Sequence, residues 1–274
     1  MRIPPPPRQR AASDAHIRGH ARHRSRLLGS STVACTLIGA FALIGASPAL
    51  AITGGDESDT PEPWVASVQF GGDHHCTGTL IDENWVLTAY HCVAVELPEG
   101  VRLGSNDHTE GEFVGIEEVI NHPDAWFDPE TREMFGPDLA LLKLSETTTI
   151  EPMRVADELP DRSSPMKTFG WGFLDWDATP TTLLHELDVT LSPAGDCPPA
   201  NDYAPARLCM IDPSGSGIVP GDSGGPLIAD TAEGRRLVGT SNSAAPGVSV
   251  WTDVTLFSTW IQDQIRTGAS DLIR

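Results

Sequence analysis

The 274-residue chain carries 18 Lys and Arg against 38 Asp and Glu, a net charge of −20, and 39% of its residues are apolar. Length and apolar share exclude a disordered chain and leave material for one large all-β domain or two small ones around a buried core. The acidic surplus repels phosphate backbones and anionic lipid, so nucleic acid and membrane surfaces are excluded as favoured partners.

Residues 1–51 differ from the rest. Seven basic residues (Arg2, Arg8, Arg10, Arg18, Arg22, Arg24, Arg26) and one acid, Asp14, fall there, which leaves −26 for the remainder. Leu27 to Ala51, LLGSSTVACTLIGAFALIGASPALA, is apolar after a basic stretch and ends in the small-x-small tripeptide Ala49-Leu50-Ala51. That is the order of a secretory signal peptide, so the expectation is cleavage after Ala51, an extracellular protein, and no stable membrane association afterwards. The leader is long for this role and the apolar run approaches spanning length, so a start downstream of Met1, or retention as an anchor, stays open.

From Ile52 onward, short β-branched and apolar runs alternate with turns rich in Gly, Pro, Asp and Asn. Trp64 to Phe70 alternates apolar and polar residues as a half-buried strand does, and further strands are expected at Thr79–Ile81, Trp85–Thr88, Phe113–Ile116, Leu139–Leu144, Leu187–Leu191 and Leu237–Thr240. Many short strands argue for a barrel or sandwich. Val254 to Ile265 places Val254, Phe257, Trp260, Ile261 and Ile265 at helical spacing, which predicts a C-terminal amphipathic helix packed on the second half of the domain. Cys35 leaves with the leader; Cys76, Cys92, Cys197 and Cys209 form an even set in an exported chain, which favours two disulfides in any of three pairings. Zinc is the weaker alternative, because no close Cys-x-x-Cys pair is present.

Three segments complete one another chemically: Thr88-Ala89-Tyr90-His91-Cys92, Pro137-Asp138-Leu139-Ala140-Leu141-Leu142-Lys143-Leu144, and Gly221-Asp222-Ser223-Gly224-Gly225-Pro226-Leu227. A serine hydroxyl needs an imidazole to take its proton. The imidazole needs a carboxylate to hold its tautomer. Glycines beside the serine let backbone N–H groups converge on an oxyanion. Singly, His91 reads as a core histidine, Asp138 as a strand-entry acid and the glycines as a tight loop; together they read as a nucleophilic site.

TAYHC, DLALLKL and GDSGGPL, in that order, resemble the signature segments of the trypsin/chymotrypsin-type serine proteases. ITGG at Ile52, Cys76-Thr77-Gly78-Thr79-Leu80, Gly170-Trp171-Gly172 and the terminal helix extend the likeness over nearly the whole chain beyond the leader. The resemblance implies two six-stranded antiparallel β-barrels and a C-terminal helix, with His91 and Asp138 from the first barrel and Ser223 from the second. It implies Ser223 as nucleophile, His91 as base then acid, Asp138 as orienting carboxylate, and the N–H groups of Gly221 and Ser223 as the oxyanion hole. It pairs Cys76 with Cys92 and Cys197 with Cys209, each worth roughly 2–4 kcal/mol. It also pairs the freed amine of Ile52 with Asp222, so that cutting after Ala51 would export and activate in one event.

The resemblance puts Gly217 at the floor of the specificity pocket, followed by Ile218, with the opposite wall at Ser241, Asn242, Ser243 and Ser249. No acid stands at Gly217, so small or medium apolar side chains are expected before the scissile bond, and not Arg or Lys. Val219 stands where many relatives have a cysteine, and Asn242 and Ser243 depart from the usual Trp pattern, which leaves open whether Ser241 or Asn242 supports Asp138. Protein or peptide substrates and protein inhibitors are the partners implied; no cofactor or metal is, and a monomer is expected. Asn106, Asp107, Glu110 and Glu112 could ligate calcium but read better as a solvated acidic loop. His74 and His75 read as cleft-lining, and Trp126 and Trp176 as loop-packing or cleft-lining. A trypsin-like scaffold that binds without cleaving is the alternative.

Overall fold

The structure, a computed structural model, describes residues 52–131, 133–198 and 206–271, so the leader expected at 1–51 lies outside the described residues. The strands in chain order are β1 (Asp56–Glu57), β2 (Val65–Phe70), β3 (Asp73–Asp82), β4 (Trp85–Thr88), β5 (Gly100–Leu103), β6 (Glu112–Asn121), β7 (Trp126–Phe127), β8 (Met134–Phe135), β9 (Ala140–Leu144), β10 (Met166–Gly170), β11 (His185–Val189), β12 (Arg207–Ile211), β13 (Pro226–Thr231), β14 (Gly234–Ala245) and β15 (Val248–Asp253). One helix, α1 (Ser258–Asp271), follows.

Strands β2, β3, β4, β9, β6 and β5 close into a six-stranded antiparallel barrel. Its interior explains the run at 139–144: β4 and β9 are buried at every position, so they read as continuous apolar segments. Lys143 is only 5% exposed and is paired with Glu117 at 3.2 Å. β2 departs from the half-buried reading. Its polar positions Ser67 and Gln69 are as buried as its apolar ones, and they satisfy each other by a 2.7 Å hydrogen bond.

The second half is a seven-stranded antiparallel sheet in the order β1, β11, β10, β13, β14, β15, β12. Six of these correspond to the second barrel, and β1, near the start of the described residues, is added beside β11. The seam between its two ends is bridged just after β11, where Ser192 N–H donates to the Cys209 carbonyl at 2.8 Å. Val189, Leu208, Leu227, Val238 and Trp251 pack its core. The all-β, two-barrel architecture with a single helix at the end is therefore as expected.

The helix is not placed as expected. Its first turn is 3-10, over Val254–Phe257, because the Asp253 carboxylate caps the Thr255 N–H at 3.0 Å. Its apolar stripe turns toward the first barrel rather than staying on the second half. The His122 ring, just after β6, packs against Phe257 and Trp260 with centroids 5.1 and 4.9 Å away. Gly268 lies against the Trp85 ring of β4. A Cβ on Gly268 would stand 2.5 Å from Trp85 Cζ2. We therefore expect Gly268→Ala to lower the unfolding temperature in calorimetry, losing about 1–3 kcal/mol to overpacking, although alanine in an unobstructed helix would gain about 1 kcal/mol over glycine.

Candidate active site

His91 sits in a 3-10 turn, Tyr90–Cys92, directly after β4. The Cys76–Cys92 disulfide ties that turn to β3. Asp138 enters β9, one strand over in the barrel. One Asp138 oxygen accepts the His91 backbone N–H at 2.8 Å, and the other faces His91 Nδ1 at 2.7 Å. That pairing assigns the proton to Nδ1 and leaves Nε2 free to accept. Burial disfavours the imidazolium, but the charge and hydrogen bond of Asp138 outweigh it, so the His91 pKa rests above its ordinary value.

Ser223 lies in the loop between β12 and β13. Gly221 has φ +101°, and a Cβ there would meet Gly172 Cα at 2.7 Å, so only glycine fits. Its carbonyl accepts from Thr77 Oγ1 at 3.0 Å and is 3.1 Å from His74 Nε2. His74 Nδ1 is 2.7 Å from Ser67 Oγ, so the buried face of β2 ends in a polar chain that holds the Gly221 peptide. Burial first, then neighbouring His108, lowers the His74 pKa to about 3, which keeps this ring neutral. The Ser223 carbonyl accepts from Thr77 N–H at 2.8 Å, which clamps the loop to the first barrel. Ser223, His91, His74 and His75 line one cleft of about 320 Å³. No hydrogen bond joins Ser223 to His91 here; in a free site such bonds are often long until substrate binds.

Asp222 is fully buried. Its carboxylate accepts from Gly172 N–H at 2.8 Å and Val219 N–H at 2.9 Å. Burial outweighs both hydrogen bonds and raises its pKa to about 7, and no cation among the described residues compensates. Ile52 is fully buried as well. Thr53 bridges Gly217, whose N–H donates to the Thr53 carbonyl at 2.8 Å, so the start of the described chain docks beside the segment leading into Asp222.

A second cavity of about 150 Å³ opens beside Ser223, lined by Ile218, Val219, Ser241, Asn242, Ser243 and Trp176 among others, with no ionisable side chain. Gly217 and Ser249, expected in the pocket, are both buried and pack on each other: a Cβ on Gly217 would fall 2.3 Å from Ser249 Oγ, which accepts the Ile218 N–H at 3.0 Å. The wall departs from the usual pattern because β14 carries a bulge between Ser241 and Ser243, which leaves Asn242 unpaired in register. Asn242 turns its amide to Thr252 Oγ1 at 3.3 Å. Ser241 Oγ is buried without a partner, so neither residue hydrogen-bonds Asp138. Val219 and Trp176 are part of the lining; from the sequence, Trp176 reads as loop-packing or cleft-lining, with no role assigned.

The four cysteines form Cys76–Cys92 and Cys197–Cys209 disulfides. In the acidic loop, Asn106 spends its amide on Thr60 O, Ser58 O and Glu62 N, and Asp107 spends its carboxylate on Thr109 and Thr182. Those side chains are staples. Trp126 stacks on Phe135 at 4.4 Å in the β7–β8 hairpin, a loop-packing role. No helix among the described residues is long and apolar enough to cross a membrane.

Residues 52–261 match the family model described as Trypsin. Mouse kallikrein 1-related peptidase b16 is 32% identical over 232 residues, covering 76% of this chain and 87% of the relative. Mouse serine protease 57 is 32% identical over 245 residues, covering 80% of this chain and 82% of the relative. Among solved structures, mouse neuropsin, a serine protease expressed in the limbic system, superposes with a TM-score of 0.68 at 25% identity, over 78% of this chain and all of that one. Fold, cleft and relatives agree: the chain belongs to the trypsin family of serine endopeptidases, which act on proteins and peptides.

Proposed function

We propose that the chain is a secreted serine endopeptidase that cuts after small or medium apolar residues, with Ser223 as nucleophile, His91 as base and acid, and Asp138 as orienting carboxylate. The observation that carries this is the two-point contact of Asp138 with His91 at 2.8 and 2.7 Å, on the cleft that also contains Ser223. Ser223 Oγ attacks the scissile carbonyl carbon as its proton passes to His91 Nε2. The resulting oxyanion is received by the N–H groups of Gly221 and Ser223. His91 then gives the proton to the departing amine, the acyl-enzyme remains, and water attacks it by the same proton route, releasing the acid and free Ser223.

Specificity follows from the neutral cavity. A space near 150 Å³ is about what a benzene molecule occupies in an apolar protein cavity. An Arg or Lys head would be desolvated there without a counter-charge. Export through the leader and cutting after Ala51 would free the Ile52 amine within the segment already docked beside Gly217, as the cation that Asp222 lacks. We further propose a monomer that protein inhibitors approach through the same cleft.

Three measurements test this. In a peptide mixture analysed for new termini by mass spectrometry, cuts should cluster after small or apolar residues and disappear with Ser223→Ala; cuts after Arg or Lys would overturn the pocket assignment. Ser241→Ala should keep kcat/KM within about threefold and raise the unfolding temperature, since it removes a buried hydroxyl with no partner. The third is pH. With Asp222 protonated up to about 7 when folded and only to about 3.8 in the unfolded chain, the folded protein holds more protons between these values, so stability falls as pH rises through that window. Protein retaining residues before Ile52 should show this loss in denaturant titrations, and protein beginning at Ile52 should not, because the amine pairs with the carboxylate.

A further inference from the structure

The specificity cavity has one wall that the usual pocket-forming segments do not supply. Trp176 lines it, yet comes from the loop after β10, far in sequence from the Ile218–Ser223 and Ser241–Ala244 segments that form the remainder. Trp176 is 41% exposed, although its neighbours Ile218 and Val219 are 3% exposed. A large apolar surface left half open at the mouth of a small neutral cavity is surface that an entering apolar side chain would cover.

The loop holds the ring in place by design of its own bonds. Phe173 N–H donates to the Pro220 carbonyl at 3.1 Å, which anchors the loop to the cavity's own lining. Leu174 N–H donates to the Thr179 carbonyl at 2.8 Å and closes the loop's neck. Inside it, the Asp175 carboxylate takes the Thr179 N–H at 3.1 Å and hydroxyl at 2.8 Å. Ala178 pays for the tight return with φ +63°, a region that an alanine adopts only where its surroundings demand it. A clamped, strained loop carrying a half-exposed tryptophan is a built feature and not a slack surface segment.

The facing wall makes the ring matter. The facing wall is lined by the polar residues Asn242 and Ser243, and the Asn242 amide is engaged with Thr252 Oγ1 at 3.3 Å. Trp176 is then the large apolar group on the rim. We propose that Trp176 is a specificity-determining residue: its ring closes over the substrate side chain that precedes the scissile bond and supplies the apolar contact missing from the 241–243 wall. This rests on the protease reading above. The contact persists from bound substrate to transition state, so it acts on KM more than on kcat.

The test compares p-nitroanilide peptides differing only in the residue before the scissile bond, alanine against leucine, on wild type, Trp176→Ala, Trp176→Phe and Asp175→Ala. Each protein is first titrated with an organophosphonate that labels the nucleophilic serine. We expect equal labelling in all four, a loss of about tenfold in the leucine-to-alanine kcat/KM ratio for Trp176→Ala, carried by KM, a smaller loss for Trp176→Phe, and an intermediate loss for Asp175→Ala. Quenching or shift of tryptophan fluorescence on binding a leucine aldehyde should vanish in Trp176→Phe. Equal ratios in labelled wild type, Trp176→Phe and Asp175→Ala, with no lost fluorescence change, would overturn the inference while leaving the protease reading intact. Absence of labelling in wild type would overturn both. If Trp176→Ala does not fold, the other two variants decide.

Discussion

A carboxylate with no access to water organises this protein. Asp222 is fully buried, and the loop that presents Ser223 is wound around it through Gly172 and Val219 N–H groups. Two amide donors do not repay the desolvation of a charge, which is why its pKa rises to about 7. The local geometry follows from the close quarters: Gly172 and Gly170 leave no room for a Cβ beside the Asp222 side chain, and Gly221 leaves none beside Gly172. In the proposed activation, the docked Ile52 segment would bring its amine to this carboxylate and so couple activation to the shape of the proposed oxyanion hole.

The second constraint is that the reactive groups come from different barrels and must be held in register. Main-chain and side-chain groups of β3 share this work. Thr77 N–H fixes the Ser223 carbonyl, Thr77 Oγ1 and His74 fix that of Gly221, and Gly224 N–H reaches Ser241 O at 2.8 Å. Gly224, at φ +79°, approaches β3 and β4 so closely that a Cβ would lie 2.2 Å from Thr88 Oγ1. The first barrel therefore templates a loop that belongs to the second. The buried polar face of β2 serves the same end, since Ser67 lies under His74 rather than facing solvent.

Against these closely determined parts, the small cavity beside Ser223 is assembled from what the fold leaves over. Ser249 fills the space beside Gly217, the bulge at Asn242 diverts a polar side chain, and a loop from elsewhere contributes Trp176. None of these changes the nucleophilic chemistry. On the proposed reading, they set which substrate side chain the cavity desolvates.

Much of this was legible before any coordinates. The expected strands at 85–88 and 139–144 became β4 and β9 because strands buried on both faces advertise themselves as unbroken apolar runs. The three segments around His91, Asp138 and Ser223 made the family legible, because the chemistry proposed for them demands particular residues in fixed local settings, glycines above all. Strands such as β10, β12, β13 and β15 were not singled out: β13 opens on a proline after a glycine-rich loop, and β15 mixes Ser, Thr and Asp that tertiary contacts bury. The helix was recognisable from its period, but the barrel it covers was not, since a stripe says that a face is apolar and not what it meets. The amino-acid sequence by itself determined the fold class, the cysteine set and the family, because these depend on local pattern and residue type. Only the tertiary structure decided that, among the described residues, no cation meets buried Asp222 and no partner meets the Ser241 hydroxyl, and that Trp176 borders the cavity beside Ser223, because each depends on which distant segments close around a side chain.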